Sequence, residues 1–380
     1  MNKRVCILTS VHPVFDTRIF YKEAKTLVKA GYDVTLIAQH NKDENVDGIR
    51  IIPLPEPRNR LERMTKTVCM LFNIALREKP AICHFHDPEL IPVGIILKLL
   101  GKRVIYDVHE DYGKQNLYKT YIPVAIRKPV AKLVSFIEKI ASKFFDSIIA
   151  ATDDILKNFI THKGSVVIQN FPMLTNCGEI QKKRRNNQIF TPIYIGALAE
   201  TRGITQIVEA MEYLDTHKNI KLILGGNFSP KSYEKKVRCL KGFNRVEYLG
   251  YIKHTKVPEY LAQADVSIVC FHPTLSHINS MPNKLFEYMC AGIPVVASNF
   301  PLWKEIIERD KCGICVNPLE PKEIAKAIEY LMEHPDEAQK MGANGRKAIS
   351  QKYNWENESK KMLELYESLY TDPRNDWTGC

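Results

Sequence analysis

The sequence predicts an α/β chain made of two doubly wound units, each a mostly parallel sheet covered by helices. Three observations predict it. First, a strand-length apolar run, Val5–Thr9, is followed by a helical pattern from Ile19 to Ala30 and a second apolar run, Val34–Ala38. That is the βαβ beginning of a parallel sheet. Second, the same alternation starts afresh at Ile193–Ile195, with a turn over Gly196–Gly203 and a helix from about Ile204. Third, residues 171–190 hold Pro172, Gly178 and the charged run Gln181–Gln188, a composition suited to a linker. The expected units are residues 1–172 and 188–351.

At 380 residues there is room for two ordinary cores, and 45% hydrophobic with 26% charged content is that of a globular protein. No apolar run reaches the length of a membrane span, and the short run after Met1 reads as a strand, not a leader. Ten cysteines are scattered, mostly in apolar runs, and are expected to be reduced thiols of a cytosolic protein. Cys312-Gly-Ile-Cys315 has redox or zinc spacing but no second pair, so a core role is expected. A net charge of +11 admits nucleic acid, an anionic membrane or an anionic substrate as partner. No nucleic-acid-binding signature accompanies it. The charge gathers in 58–79, with six basic and two acidic residues, and in 122–147, with five and two. Both segments are amphipathic. They are either core helices with solvated basic faces or contacts to an anionic lipid surface.

The first unit continues with a short strand at Ile49–Pro53, a helix near 61–77, and a strand at Ala81–Phe85. His84 and His86 share one face of that strand, next to Asp87 and Glu89, which is a geometry a metal could use. Arg103–Asp107 is a strand ending in Val108-His109-Glu110-Asp111, and ligands in open α/β sheets bind beyond such carboxyl ends. Ser147–Ala151 and Val166–Asn170 complete the sheet. Asp153-Asp154 follows Thr152 and reads as a capped helix start, not a metal motif. The loop Ser10–Arg18 has no GxGxxG, so no dinucleotide site is expected there.

In the second unit, Lys221–Leu224 runs into Gly225-Gly226-Asn227, a turn that lets backbone approach closely. Val246–Ile252 follows, then a strand at Val266–Phe271. His272–Ser298 is the most informative stretch: a polar, Pro-rich loop, a helix over Asn283–Ala291, Gly292 as its stop, and a buried strand at Pro294–Ser298. Free N–H groups at a helix start suit phosphate. Lys284 and Glu287 lie three residues apart on one face, and one helical turn rises about 5.4 Å, roughly the distance from a diphosphate to its ribose. They are either a surface ion pair or a nucleotide clamp. Helices at 322–333, 335–350 and up to about Tyr370 close the chain.

PNKLFEYMCAGIPVVAS resembles the nucleotide-sugar motif of the retaining glycosyltransferases of family 4, and the likeness extends over almost the whole chain. The resemblance implies the GT-B fold, two Rossmann-like domains facing across a cleft. The first would bind acceptor, the second nucleotide-sugar, and 352–372 would pack back on the first. In that family two glutamates stand eight positions apart; Glu287 matches the ribose-binding one, and Asn279 stands where the sugar-binding one would be. Ser280, Met281, Gly196, Tyr251 and Ile252 are the other implied donor-binding residues. His109 matches a histidine near the donor sugar, and Arg202 and Lys284 the cations on the diphosphate. The family has Arg after the first glycine and Lys before the second, whereas this chain has Ala197 and Arg202. Asp16, Arg18, His86 and Glu110 are the acceptor-side candidates, and the HDPEL stretch would line the cleft without metal.

The expected function is retaining transfer of a sugar, from a UDP-sugar rather than a GDP-sugar, to a glycan or polyprenyl-linked acceptor in cell-surface polysaccharide synthesis. No cofactor, no metal and no nucleic acid are expected. The expected location is the cytoplasm, including the inner face of the plasma membrane. Two alternatives stay open. One is a non-catalytic binding or partner subunit, suggested by Asn279 and Ala197; the other is a further GT-B enzyme such as a UDP-sugar epimerase.

Overall fold

The structure is a computed structural model that describes residues 3–116, 122–159, 164–178, 189–214 and 219–371. The expected charged run Gln181–Gln188 lies outside them. The chain divides into two compact units: Met1–Asn170 with Trp355–Cys380, and Phe171–Asn354.

In the first unit the strands are β1 (Arg4–Pro13), β2 (Asp33–Gln39), β3 (Glu44–Val46), β4 (Ile49–Leu54), β5 (Ile82–Phe85), β6 (Arg103–Val108), β7 (Ser147–Ala150) and β8 (Val166–Val167). They lie in the order β3-β4-β2-β1-β5-β6-β7-β8, parallel except for the β3–β4 pair. The order leaves β1 in both directions, so the loops after β1 and β5 meet at a topological switch point, where α/β sheets hold ligands. Buried aliphatic residues fill the strands because helices cover both faces. The helix Trp355–Thr371 belongs to this unit. Its Trp355 indole donates to Thr26 Oγ1 at 3.0 Å, and its Glu358 carboxylate accepts from the Gln169 N–H at 2.8 Å.

In the second unit the strands are β9 (Pro192–Ile195), β10 (Leu222–Gly225), β11 (Val246–Gly250), β12 (Val266–Val269), β13 (Val295–Ser298) and β14 (Gly313–Val316). Their order is β11-β10-β9-β12-β13-β14, with the switch point between β9 and β12. The loops 196–203 and 270–282 therefore emerge side by side.

Three local expectations are corrected. The segment after Asn170 is not a free linker. Phe171 packs its ring on Phe286 at 4.7 Å and on Tyr353 at 5.3 Å, and so begins the second core. Cys177 and Cys290 are not reduced thiols: they form a disulfide across 113 residues, a separation that leaves no sequence signal. The helix expected over Ile19–Ala30 starts as a wide π-helical turn, Ile19–Ala24, before the α-helix Lys25–Lys29. Asp16 Oδ1 accepts from the N–H groups of Arg18 and Ile19 at 2.8 and 3.0 Å, and the Glu23 N–H reaches back to Arg18 O at 2.9 Å. Such widened turns gather at functional sites.

The helix Val124–Ala141 is amphipathic in an unusual sense. Its acidic residue points inward, where Tyr106 Oη donates to Glu138 Oε1 at 2.8 Å and burial pushes the Glu138 carboxyl up to about 7. Its apolar residues point out: Val124, Leu133 and Phe136 are 76%, 57% and 61% exposed. Lys128, Lys132, Lys139 and Lys143 are exposed beside them.

Candidate functional site

In the second unit the site is built around a glycine and a lysine. Gly196 ends β9 with φ +154, a conformation side chains rarely adopt, and a Cβ there would strike Cε and Nζ of Lys284. Lys284 is in the first turn of the helix Asn283–Cys290. That helix is fixed from behind: the Ile195 N–H donates to Tyr288 Oη at 3.0 Å, and Leu285, Phe286, Met289 and Cys290 are buried. The helix stops at Gly292, φ +70, as its sequence predicts.

Arg202 ends the short 3-10 turn Glu200–Arg202, before Gly203 in left-handed conformation. Its guanidinium stacks on Phe271, 4.2 Å from the ring centre. Phe271 is held edge-on by Trp303 at 5.4 Å. The planar cation thus keeps its N–H edges available for a ligand. Burial, together with nearby Arg202, lowers Lys284 from the ordinary lysine range, while Glu287 opposes the shift. Burial and the same arginine bring His277 down to about 4. Among the described residues neither Arg202 nor Lys284 has an acidic side chain within ion-pair distance. The unit has gathered two cations, and Glu287 is the acid that acts on Lys284 electrostatically without reaching ion-pair distance.

The other residues expected on the donor side are placed as follows. Ser280 is fixed by its hydroxyl, which donates to His277 O at 3.0 Å, and by its carbonyl, which accepts from Trp303 Nε1 at 2.7 Å. Asn279 follows the short helix Leu275–Ile278, and Met281 packs on the core. Glu287 is half-buried one turn after Lys284. Ile252 packs on the core while Tyr251 is 71% exposed. Phe271, Trp303 and Tyr288 were missed in the sequence. Nothing in an apolar run distinguishes an aromatic that supports a cation from one that only fills space.

In the first unit the candidates form a buried charge cluster. Arg18 is buried and committed on every side. Nη2 donates to both oxygens of Asp107 at 3.1 and 2.9 Å, Nη1 donates to Ile168 O at 2.9 Å, and Nε lies 2.7 Å from Glu23 Oε1. The geometry makes Arg18 an internal counter-ion. Burial alone would raise the Asp107 carboxyl, but Arg18 and His109 hold it well below the usual carboxylate range. Glu23 is pushed well above its range by burial and by Asp107. His86 is also fully buried, with Nδ1 2.9 Å from Nε2 of His109. His109 itself is half-buried.

Burial would raise the Asp16 carboxyl, but hydrogen bonds with His12, Ile19 and Arg18 lower it to about 2. Glu110 is exposed and bonded to Gln115. Asp87 and Glu89 of the HDPEL stretch are structural anchors. Asp87 Oδ2 accepts from the Ser10 N–H at 2.7 Å and from Thr9 Oγ1 at 2.8 Å, and Glu89 accepts from Ser10 Oγ at 2.8 Å. Glu23, His84, His86 and Asp107 bring ligand-type atoms within 4.8 Å of one another. The Arg18 guanidinium already stands among them, where a metal ion's charge would be.

Comparison with known proteins identifies the family and the fold. Residues 17–171 match the family profile described as Glycosyltransferase Family 4, and residues 179–348 match Glycosyl transferases group 1. An uncharacterized glycosyltransferase of Methanocaldococcus jannaschii is 26% identical over 175 residues, 46% of this chain and 44% of that protein, so the match spans less than half the length of that relative. Sucrose-phosphate synthase from Thermosynechococcus elongatus superposes with a TM-score of 0.77 at 20% identity, over 97% of this chain and 99% of that one. HepE of Anabaena in complex with UDP-glucose gives 0.69 at 17% identity, over 96% and 99%. The chain therefore belongs to the group 1 glycosyltransferases of family 4 and has the GT-B fold.

Proposed function

We propose that this protein is a retaining, metal-independent glycosyltransferase that uses a UDP-sugar and a glycan or lipid-linked acceptor, in cell-surface polysaccharide synthesis. The observation that carries this is the pair of cations Arg202 and Lys284 at the switch point of the second sheet, with Glu287 one turn away. Two neighbouring cations suit a diphosphate, and a carboxylate about 4.5 Å further along the helix suits ribose hydroxyls. The structural likeness to a protein that holds UDP-glucose favours uracil as the base. In the proposed course the C1–O bond to the diphosphate breaks on the face where the acceptor oxygen attacks. The acceptor proton passes to the departing phosphate. Arg202, Lys284 and the N–H groups at the start of helix Asn283–Cys290 take up the charge that grows there. His109 is the residue that the family resemblance assigns to the donor sugar. Independence from metal is supported by Arg18, which supplies the positive charge of the only cluster of metal-ligand type among the described residues.

A panel of UDP- and GDP-sugars tests this directly. Slow hydrolysis of one UDP-sugar, in the presence of a chelator, is expected. Binding of UDP without hydrolysis of any donor would instead favour a non-catalytic partner subunit, the reading suggested by Asn279 and Ala197.

Glu287→Gln is expected to weaken UDP binding by about 1.5–3 kcal/mol, because a neutral amide replaces a charged acceptor. Unchanged affinity by calorimetry, with the fold intact, would remove Glu287 from the site.

The acceptor side carries a membrane proposal. No described helix is long and apolar enough to cross a bilayer. The helix Val124–Ala141, however, shows lipid-compatible residues and lysines on its exposed surface and buries its only acid. Each Lys or Arg near an anionic leaflet adds about 1 kcal/mol. The protein should sediment with anionic vesicles at low salt, and less so as salt rises. Charge reversal at Arg127 and Lys128 should abolish this. Indifference to such vesicles would point to a soluble acceptor.

A further inference from the structure

We propose that His86 is a positioning residue that holds His109 in a single tautomer, with the proton on Nε2 and the Nδ1 lone pair left to accept from a ligand hydroxyl. The proposal rests on the reading of His109 as a group that meets the donor sugar.

Among the described residues, the polar neighbours of His109 Nε2 are His86 Nδ1 at 2.9 Å and Asp107 Oδ1 at 3.3 Å. Asp107 is paired through both oxygens with the Arg18 guanidinium, which keeps it a carboxylate. A carboxylate can only accept. The nitrogen that faces it therefore bears hydrogen, and His86 Nδ1, on the same side, is an acceptor as well. His86 then carries its own proton on Nε2, which lies 3.4 Å from Glu23 Oε2 without the geometry of a hydrogen bond. Glu23 is held in turn by Arg18 Nε at 2.7 Å. Glu23 and Asp107 thus bracket His86 and His109, and one arginine holds both acids.

Burial supports the assignment. His86 is fully buried, and burial with His84 and His109 nearby lowers it well below the ordinary histidine range, so it stays neutral. A charged His86 would donate from both nitrogens and reverse the chain. His84 adds no competing donor to His109: its Nδ1 lies 2.8 Å from Tyr366 Oη and its Nε2 3.5 Å from Asp107 Oδ2. In metal sites, partners that orient a histidine through its other ring nitrogen are worth about 10–100-fold, and a loss of that size is expected here.

The test is long-range proton–nitrogen NMR on the full, uniformly labelled chain, with His109 assigned by its loss in His109→Gln. The expected result is a single Nε2–H tautomer for His109 in the wild type. His86→Asn, which keeps an acceptor in place of Nδ1, should retain it. His86→Leu should give a mixture. It should also lower kcat for UDP-glucose hydrolysis by about 10–100-fold, with KM changed by less than about threefold, and Asn should recover most of that loss. An Nδ1–H tautomer in the wild type overturns the proposal. So does an unmixed Nε2–H tautomer in His86→Leu, which would leave Asp107 sufficient alone. If the leucine variant does not fold, the wild-type and asparagine spectra decide. An inactive wild type with a fixed Nε2–H tautomer would uphold the positioning and defeat the glycosyltransferase reading instead.

Discussion

Arg202→Ala is expected to lower turnover of the donor by about 10²–10³-fold while UDP affinity falls by less than about tenfold. The asymmetry has a physical origin. The diphosphate is already charged in the bound donor, but more charge gathers on it as the sugar departs, so a cation beside it gains most in the transition state. Phe271 keeps the guanidinium flat and oriented before the ligand arrives, so little reorganisation is needed at the moment of reaction. Lys284 remains in the variant and continues to bind ground-state phosphate, which is why affinity survives. Single-turnover kinetics beside UDP calorimetry separate the two effects. A loss confined to affinity, with kcat untouched, would mean that Arg202 binds substrate and transition state alike.

Arg18→Met should be the most damaging change to stability, a loss of about 3–5 kcal/mol with little change in volume. Asp107 would be left as a buried anion without its counter-ion, Glu23 would lose its charged neighbour and Ile168 O its donor. For a unit of this size the melting temperature should drop by roughly 10 °C. The pH dependence has a defined sign. Arg18 holds Asp107 below its ordinary range in the folded state, so the stability it contributes is present above about pH 4, the unfolded value, and is lost as pH falls through the folded one. Wild type and variant should therefore differ most near neutrality and converge in acid. A gap under 1 kcal/mol that ignores pH would show that packing, not charge, decides this cluster.

The sequence alone determined the repeated βαβ pattern and the start and stop of the donor helix, because both depend on neighbours a few residues apart. Pro282 and Gly292 bound that helix, and Lys284 and Glu287 share its face by helical spacing alone. The same local logic placed Gly203 before Ile204. The family resemblance was legible for the same reason: it is carried by one unbroken stretch.

What only the tertiary structure decided are matters of long-range contact. Arg18 stands in a polar loop and has the sequence profile of an acceptor-side residue, yet Asp107, 89 positions away, draws it inside. Glu23 looks like any exposed acid of an amphipathic helix until the sheet brings His86 to it. Cys177 and Cys290 pair across 113 residues. The helix Val124–Ala141 has an apolar face that the sequence would assign to the core, and it is Tyr106, on a separate strand, that takes Glu138 inward and turns the apolar residues out. Local spacing sets which side chains share a face. The low dielectric of the interior sets what each face can be used for, because a buried charge is stable only beside its partner, and that partner is rarely a sequence neighbour.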